Sequence, residues 1–156
     1  MPKISIDLSG QWQFMQYPLS ARKMADLETG DWLDTPVPSS IYTSLINAGK
    51  IAQKDLESNP EDFASISDKP WIYKKIFDCP PELLECDKIE MIFQGLDTIT
   101  SIWLNEKLIT RTNNMFIAHT IDVAKLLVEK DNRLMIKFEP PIDYAKIFPA
   151  GKKTPS

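Results

Sequence analysis

Polar and apolar residues alternate most clearly between positions 88 and 111. In residues 88–94, Ile89, Met91 and Phe93 share one face. Gly95 and Asp97 interrupt the run with residue types suited to a tight turn or bulge. In residues 99–104, Ile102 and Leu104 take one face, and Ile99, Ser101 and Trp103 take the other. Asn105-Glu106 then turns the chain into residues 107–111. Side chains alternate across a strand, so each run buries one face. The stretch reads as a β-hairpin with a polar corner in front of it, and its two apolar faces require a sheet with something packed on it.

The rest of the chain supplies that partner in strand-length pieces. A short alternating run at 4–8 is continued by 11–15, with Trp12 and Phe14 on one face. Residues 18–30 form a charged connection with one helical turn around 21–27. Residues 32–37 are extended, because Pro36 and Pro38 push the residues before them toward β or polyproline geometry. Ser39 or Ser40 caps a short helix over 41–48, with Gly49 where the C-terminus needs positive φ. Residues 51–69 lack strand character. Asn59-Pro60-Glu61-Asp62 predicts a cap, a proline at the first helical position and acids in the first turn. Loops of this length on a rigid sheet are where binding groups sit.

Residues 71–77 form a strand with aromatic residues on one face, and Pro80-Pro81 starts a turn. Residues 115–121 and 133–138 are further strands. Between them Asp122 caps a short turn over 123–128, whose Leu126 and Leu127 point to the core. The result is about eight strands, few helices and frequent turn signals, which is the pattern of an all-β sandwich or jelly roll.

A chain of 156 residues is most simply one domain, large enough to bury about 70% of the surface its unfolded chain exposes. Its net charge of −4 argues against nucleic acid or an anionic membrane as main partner. No apolar run approaches the length of a membrane helix, Met1-Pro2-Lys3 opens no signal segment, and no Asn-x-Ser/Thr acceptor is present. Cys79 and Cys86 are expected as reduced thiols, and the cytoplasm is the expected compartment.

Chemistry is sparse. His119 is the single histidine, placed mid-strand, and is expected to be structural or at the surface. One histidine and two cysteines do not make a zinc site of usual composition, and no metal or cofactor site is expected. Glycoside hydrolysis needs two facing carboxyl groups, about 5–5.5 Å apart in retaining enzymes. Glu57, Glu61, Asp62 and Asp97 are the loop and corner candidates, each more simply a cap, a turn residue or a solvated charge.

An ordered set of segments resembles the N-terminal domain of β-mannosidases in glycoside hydrolase family 2. Residues 8–14 are similar to that family's opening strand. Val37-Pro38-Ser39-Ser40-Ile41-Tyr42-Thr43-Ser44-Leu45, continuing to Gly49, resembles "VPGSVHTDLLxxG". Trp71-Ile72-Tyr73 resembles "DWxY", Phe93-Gln94-Gly95-Leu96-Asp97-Thr98 "FxGLDT", Trp103-Leu104-Asn105 "VxLNG", and Asn113-Asn114-Met115-Phe116 "xNMF". Residues 134–138, Pro141 and Tyr144-Ala145 complete it. The resemblance implies a galactose-binding-like jelly-roll β-sandwich with short helices in its connections. It places the catalytic acid/base and nucleophile on a separate TIM barrel, so no catalytic residue is expected here.

Three departures stand out. Glu106 replaces the family's glycine after Asn105, where a type I′ turn holds both central residues at positive φ, so strain of about 1 kcal/mol or another turn type is expected. Residues 54–61 match the family's active-site-facing "DPFYGDNE" loop loosely, with Asn59 and Glu61 as its best counterparts and hence the candidate substrate-binding residues. A "GWDWG" segment and closing strands that the family carries next are not in this chain. The expectation is therefore a jelly roll over 1–145, lacking its last strands, with a linker or tail at 146–156. It would be an inactive fragment whose intact parent hydrolyses terminal β-D-mannosides with a TIM-barrel domain. The alternatives are a freestanding carbohydrate-binding module using Trp32, Trp71 and Trp103, and an assembly domain self-associating through unpaired strand edges.

Overall fold

A computed structural model describes residues 4–18, 20–38, 41–50, 52, 66, 69–93, 96, 99–113 and 118–139, with Met24, Tyr42 and Thr43 described by their backbone alone. Eight strands are found among them: β1 (Gly10–Gln16), β2 (Leu33–Val37), β3 (Trp71–Phe77), β4 (Glu90–Phe93), β5 (Thr100–Leu104), β6 (Lys107–Thr112), β7 (His119–Asp122) and β8 (Asn132–Phe138). A 3-10 helix (Met24–Leu27) lies between β1 and β2. Helix α1 (Ile41–Asn47) follows β2, and one-turn helix α2 (Pro81–Leu84) follows β3. Ser39 and Ser40, the expected caps of α1, lie outside the described residues.

Six strands form one sheet in the order β2-β1-β3-β8-β5-β6, and β4 and β7 form a second; every pairing is antiparallel. The hairpin of the sequence is β5–β6. The run in front of it, β4, pairs with β7 in the other sheet. Met91 and Phe93 therefore face Ile102 and Leu104 across the core instead of lying beside them, and all four are buried in one cluster. Alternation shows that each run has an apolar face, but not that the two faces oppose one another.

The main core lies between the sheets. Phe14, Ile102, Leu104 and Leu134 are fully buried there, with Trp12, Tyr73, Ile136 and Val123 around them. Burying one such aliphatic side chain contributes about 1.5–3 kcal/mol relative to exposure. Leu126 and Leu127 pack against this cluster, as expected. The Phe14 ring stacks on Tyr73 at 5.5 Å, and Phe138 meets Tyr73 edge-on at 5.4 Å.

The opposite face of the six-stranded sheet is also covered. Met15, Ile72 and Met135 form a smaller core with Leu27, delivered by the 3-10 helix, and with the half-buried rings of Trp32 and Trp103. The Lys74 ammonium sits 4.1 Å over the Trp32 ring, and burial holds its pKa below the usual lysine range, with repulsion from Arg133 adding to the shift. Arg133 in turn reaches Glu28 on the covering segment at 3.2 Å.

Residues 4–8, expected to open the first strand, are irregular, as is Ser9. The Trp12 indole takes the Leu8 carbonyl at 2.7 Å and the Asp7 carboxylate takes the Ser9 N–H at 2.9 Å, so side chains use groups that a ladder would need. The sheet's edges carry Pro36 on β2 and Lys107 and Arg111 on β6, residue types that discourage pairing with another chain.

Two asparagines tie the centre together. Asn132 is fully buried at the start of β8. Its amide donates to the carbonyls of Phe77 (3.1 Å) and Val128 (2.7 Å), and its oxygen accepts from the Val128 N–H (2.8 Å) and Asn105 Nδ2 (3.1 Å). Asn105, in the β5–β6 turn, also donates to the Leu126 carbonyl (2.7 Å) and accepts from the Arg133 N–H (2.9 Å). That turn keeps the type I′ form despite Glu106, with φ of 50° at Asn105 and 72° at Glu106.

Two stability measurements test this frame. Asn132→Ala removes four hydrogen bonds at a buried site and leaves backbone groups unpaired. Urea denaturation should show a loss of about 3 kcal/mol. Glu106→Gly relieves the left-handed conformation at the cost of greater freedom in the unfolded chain, and the same titration should show a gain of about 0.5–1 kcal/mol.

Candidate functional site

The candidate substrate residues Asn59 and Glu61 lie outside the described residues, as do Glu57, Asp62 and Asp97. What the structure shows is the frame from which the 51–68 segment departs and to which it returns. Its leading end is the C-terminus of α1, where Gly49 takes φ of 74° and the Lys50 N–H reaches the Leu45 carbonyl at 2.9 Å. Its trailing end is Ile66, packed on the main core, whose carbonyl accepts the Trp71 indole N–H at 3.0 Å.

A polar cluster beneath α1 joins that helix to the sheet. The Thr35 and Ser44 hydroxyls are buried and 2.6 Å apart, and the Tyr73 phenol bonds to Ser44. Burial pushes the Tyr73 pKa above the usual phenol value, with the Ser44 bond opposing the shift, so the ring stays neutral and holds α1 in place. Pattern reading did not find this cluster. Its signal was Ser44 lying on the same helical face as Ile41, Leu45 and Ala48, a polar residue on a stripe bound for the core. A second buried hydroxyl pair, Thr100 and Thr112 at 2.5 Å, bridges β5 and β6. Among the described residues no buried side-chain nitrogen or oxygen lacks a partner.

Three of the described carboxylates hold turns. Asp122 Oδ1 accepts the N–H groups of Ala124 (3.1 Å) and Ile89 (3.3 Å), and these bonds hold its pKa below the usual aspartate range. Asp26 is lowered in the same way by the N–H groups of Arg22 and Lys23, and Asp7 by Ser9. His119 begins β7 opposite Phe93. Cys79, buried, and Cys86, exposed, are free thiols. No group of three potential metal ligands occurs among the described residues. A shallow depression of about 350 Å³, lined by Met15, Tyr17, Gly30 and Asp31 among others, opens at the far face beside the 3-10 helix.

The tryptophans suggested as sugar platforms are engaged in the fold. Trp71 packs on Phe14 with ring centroids 6.1 Å apart and donates to Ile66. Trp32 donates to the Leu27 carbonyl at 2.9 Å and carries Lys74 over its ring. Trp103 packs on the smaller core. All three indoles are half-buried, and those of Trp32 and Trp71 already use their N–H groups, which leaves little for a sugar ring to stack on.

The model of the glycosyl hydrolase 2 galactose-binding domain-like family matches residues 12–153. The chain belongs to that family. Among its relatives, β-mannosidase B of Aspergillus flavus is 33% identical over 132 residues, covering 81% of this chain and 16% of that protein. The β-mannosidase of Capra hircus is 28% identical over 142 residues, covering 91% of this chain and 15% of that one. The crystal structure of a β-D-mannosidase from Dictyoglomus thermophilum superposes with a TM-score of 0.78 at 29% identity, over 95% of this chain and 18% of that one. An exo-chitosanase from Amycolatopsis orientalis, at 17% identity and a TM-score of 0.70, shares the fold. The chain thus spans about one-sixth of the curated relatives it matches, as the N-terminal domain of a β-mannosidase-like family 2 protein.

Asp122 generates a pH prediction. A carboxylate whose folded pKa is depressed contributes stability above its unfolded pKa and loses that contribution as pH falls through the folded value. Stability should therefore decline as pH drops below the ordinary aspartate range, and Asp122→Asn should make that decline shallower in thermal unfolding scans from pH 6 to pH 2.

Proposed function

We propose that this domain is a non-catalytic wall of the sugar pocket in an enzyme that hydrolyses terminal, non-reducing β-D-mannosides with retention of configuration. The observation that carries the reading is the similarity to β-mannosidases along 81% of the chain or more. The catalytic pair belongs to a TIM-barrel domain, the partner against which this sandwich packs. Asn59 and Glu61 are the substrate-facing residues: an amide and a carboxylate can each engage sugar hydroxyls, and both lie in the longest connection, next to a rigid frame. The domain extends over 1–145, and 146–156 is a linker or a truncated tail. Its seat is the cytoplasm, a reading supported by the free thiols of Cys79 and Cys86.

The test has two arms. The 156-residue chain alone should release no nitrophenol from p-nitrophenyl β-D-mannoside. Joined to a family 2 catalytic barrel, Asn59→Ala and Glu61→Ala should each lower kcat/KM about 10- to 100-fold, the loss expected for a hydrogen bond to or from a charged or well-oriented group. Unchanged kcat and KM in both variants would remove the two residues from the site. Hydrolysis of a glucuronide in preference to the mannoside would overturn the substrate class.

A further inference from the structure

The connection between β1 and β2 packs Leu27 on the far face of the six-stranded sheet, and a depression of about 350 Å³ remains where it meets the end of β1. The floor is Met15, which is buried, with Gly30 set against it. A Cβ on Gly30 would collide with Met15 Sδ, so a glycine lets the connection lie this close without moving the floor. Gly30 is fixed on both sides: its N–H bonds to the Leu27 carbonyl at 3.2 Å, and its carbonyl accepts the Trp32 N–H at 3.0 Å. Tyr17 forms a wall. Its ring carries the Lys137 ammonium at 4.0 Å, and its backbone N–H donates to the Pro70 carbonyl at 2.9 Å. Lys137 is held in turn by Glu139 at 3.0 Å. Floor and wall are therefore set by the fold before any ligand arrives.

The rim differs. Gln16, Thr29 and Asp31 are exposed, and their side chains make no hydrogen bond or ion pair among the described residues. Together they bring an amide, a hydroxyl and a carboxylate to an apolar floor and an anchored ring.

We propose that this depression binds one neutral hexopyranose unit. A pyranose presents a C–H face that packs on apolar surface and an edge of hydroxyls that both donate and accept hydrogen bonds. The amide and the hydroxyl of the rim also do both, and the carboxylate accepts. An anionic ligand fits poorly, because the single charged side chain of the lining is Asp31. A metal ion fits poorly as well, since one carboxylate is far short of the oxygen set a hard cation takes. The volume lies near the lower end for small-molecule pockets and admits one sugar ring. That the ring is a mannosyl unit rests on the function proposed above; the site itself rests on its lining.

The experiment is a titration of the 156-residue chain with methyl β-D-mannopyranoside, followed by amide NMR. Signals of residues 15–17 and 29–31 should shift and saturate with a Kd of about 1–10 mM, the range for one small polar ligand in a shallow site. Thr29→Ala and Asp31→Ala remove exposed groups that the fold does not use, so both variants should keep the wild-type spectrum elsewhere. Each should weaken binding about 3- to 10-fold, the loss of one hydrogen bond. Methyl β-D-glucuronide should bind the wild type more weakly than methyl β-D-glucopyranoside, and the gap should narrow in Asp31→Ala. The absence of saturable shifts in those two segments would overturn the proposal. So would binding that both substitutions leave unchanged, or a glucuronide bound as tightly as the glucoside. The titration reads binding without hydrolysis. Its failure would leave the proposed reaction standing, and failure of the nitrophenyl assay would leave this site standing.

Discussion

The buried amide of Asn132 is the constraint on which the rest of the sandwich depends. It stands where the end of β3, the start of β8, the β5–β6 turn and the 123–131 connection meet, and it bonds to three of those four directly. Through Asn105 it also fixes the turn against Leu126 and the Arg133 N–H. These bonds set the register of β3, β8 and β5, the strands that carry Ile72, Tyr73, Leu134, Ile136, Ile102 and Leu104. A slip of one residue in any of them would turn its apolar set from the core to the opposite face. Unpaired, the same amide and its backbone partners would each cost about 1–3 kcal/mol, so the network holds as a unit or destabilises as one.

Among the described residues, three aspartates, a hydroxyl cluster and three indoles are committed to holding connections on this frame. Asp122, Asp26 and Asp7 close turns. Thr35, Ser44 and Tyr73 seat α1. Trp12, Trp32 and Trp71 each catch the chain just before a strand. A domain built this way is stiff around its loops and carries no reactive constellation among its described residues. Its relatives, about six times as long, are β-mannosidases.

Much of the fold was legible. β3 falls where its period-2 pattern put it, as does the β5–β6 hairpin with its Asn105-Glu106 turn, and α1 ends at the glycine expected of it. These features are local: alternation, helical spacing and positive φ are read within a few residues. The departure of β4 to the second sheet was not legible, because pairing joins residues far apart and alternation is the same for either partner. The failed strand at residues 4–8 has a different cause, since Trp12 and Asp7 side chains claimed nearby backbone groups first. The candidate site is a resemblance carried by Asn59 and Glu61, which lie outside the described residues; the glycine at one end of its frame was read from the sequence, whereas the bond from Trp71 to Ile66 at the other became visible through contacts alone.

The amino-acid sequence by itself determined that this is a β-sandwich domain and to which family it belongs. Both rest on patterns and motifs that survive as a string. Only the tertiary structure decided which apolar faces oppose one another, that Glu106 holds a left-handed turn position, and that Asn105 and Asn132 are the polar centre of the sheet. Each of those depends on what lies opposite a residue in space. Free energies of burial and of hydrogen bonding are set by that neighbour, whatever its distance along the chain.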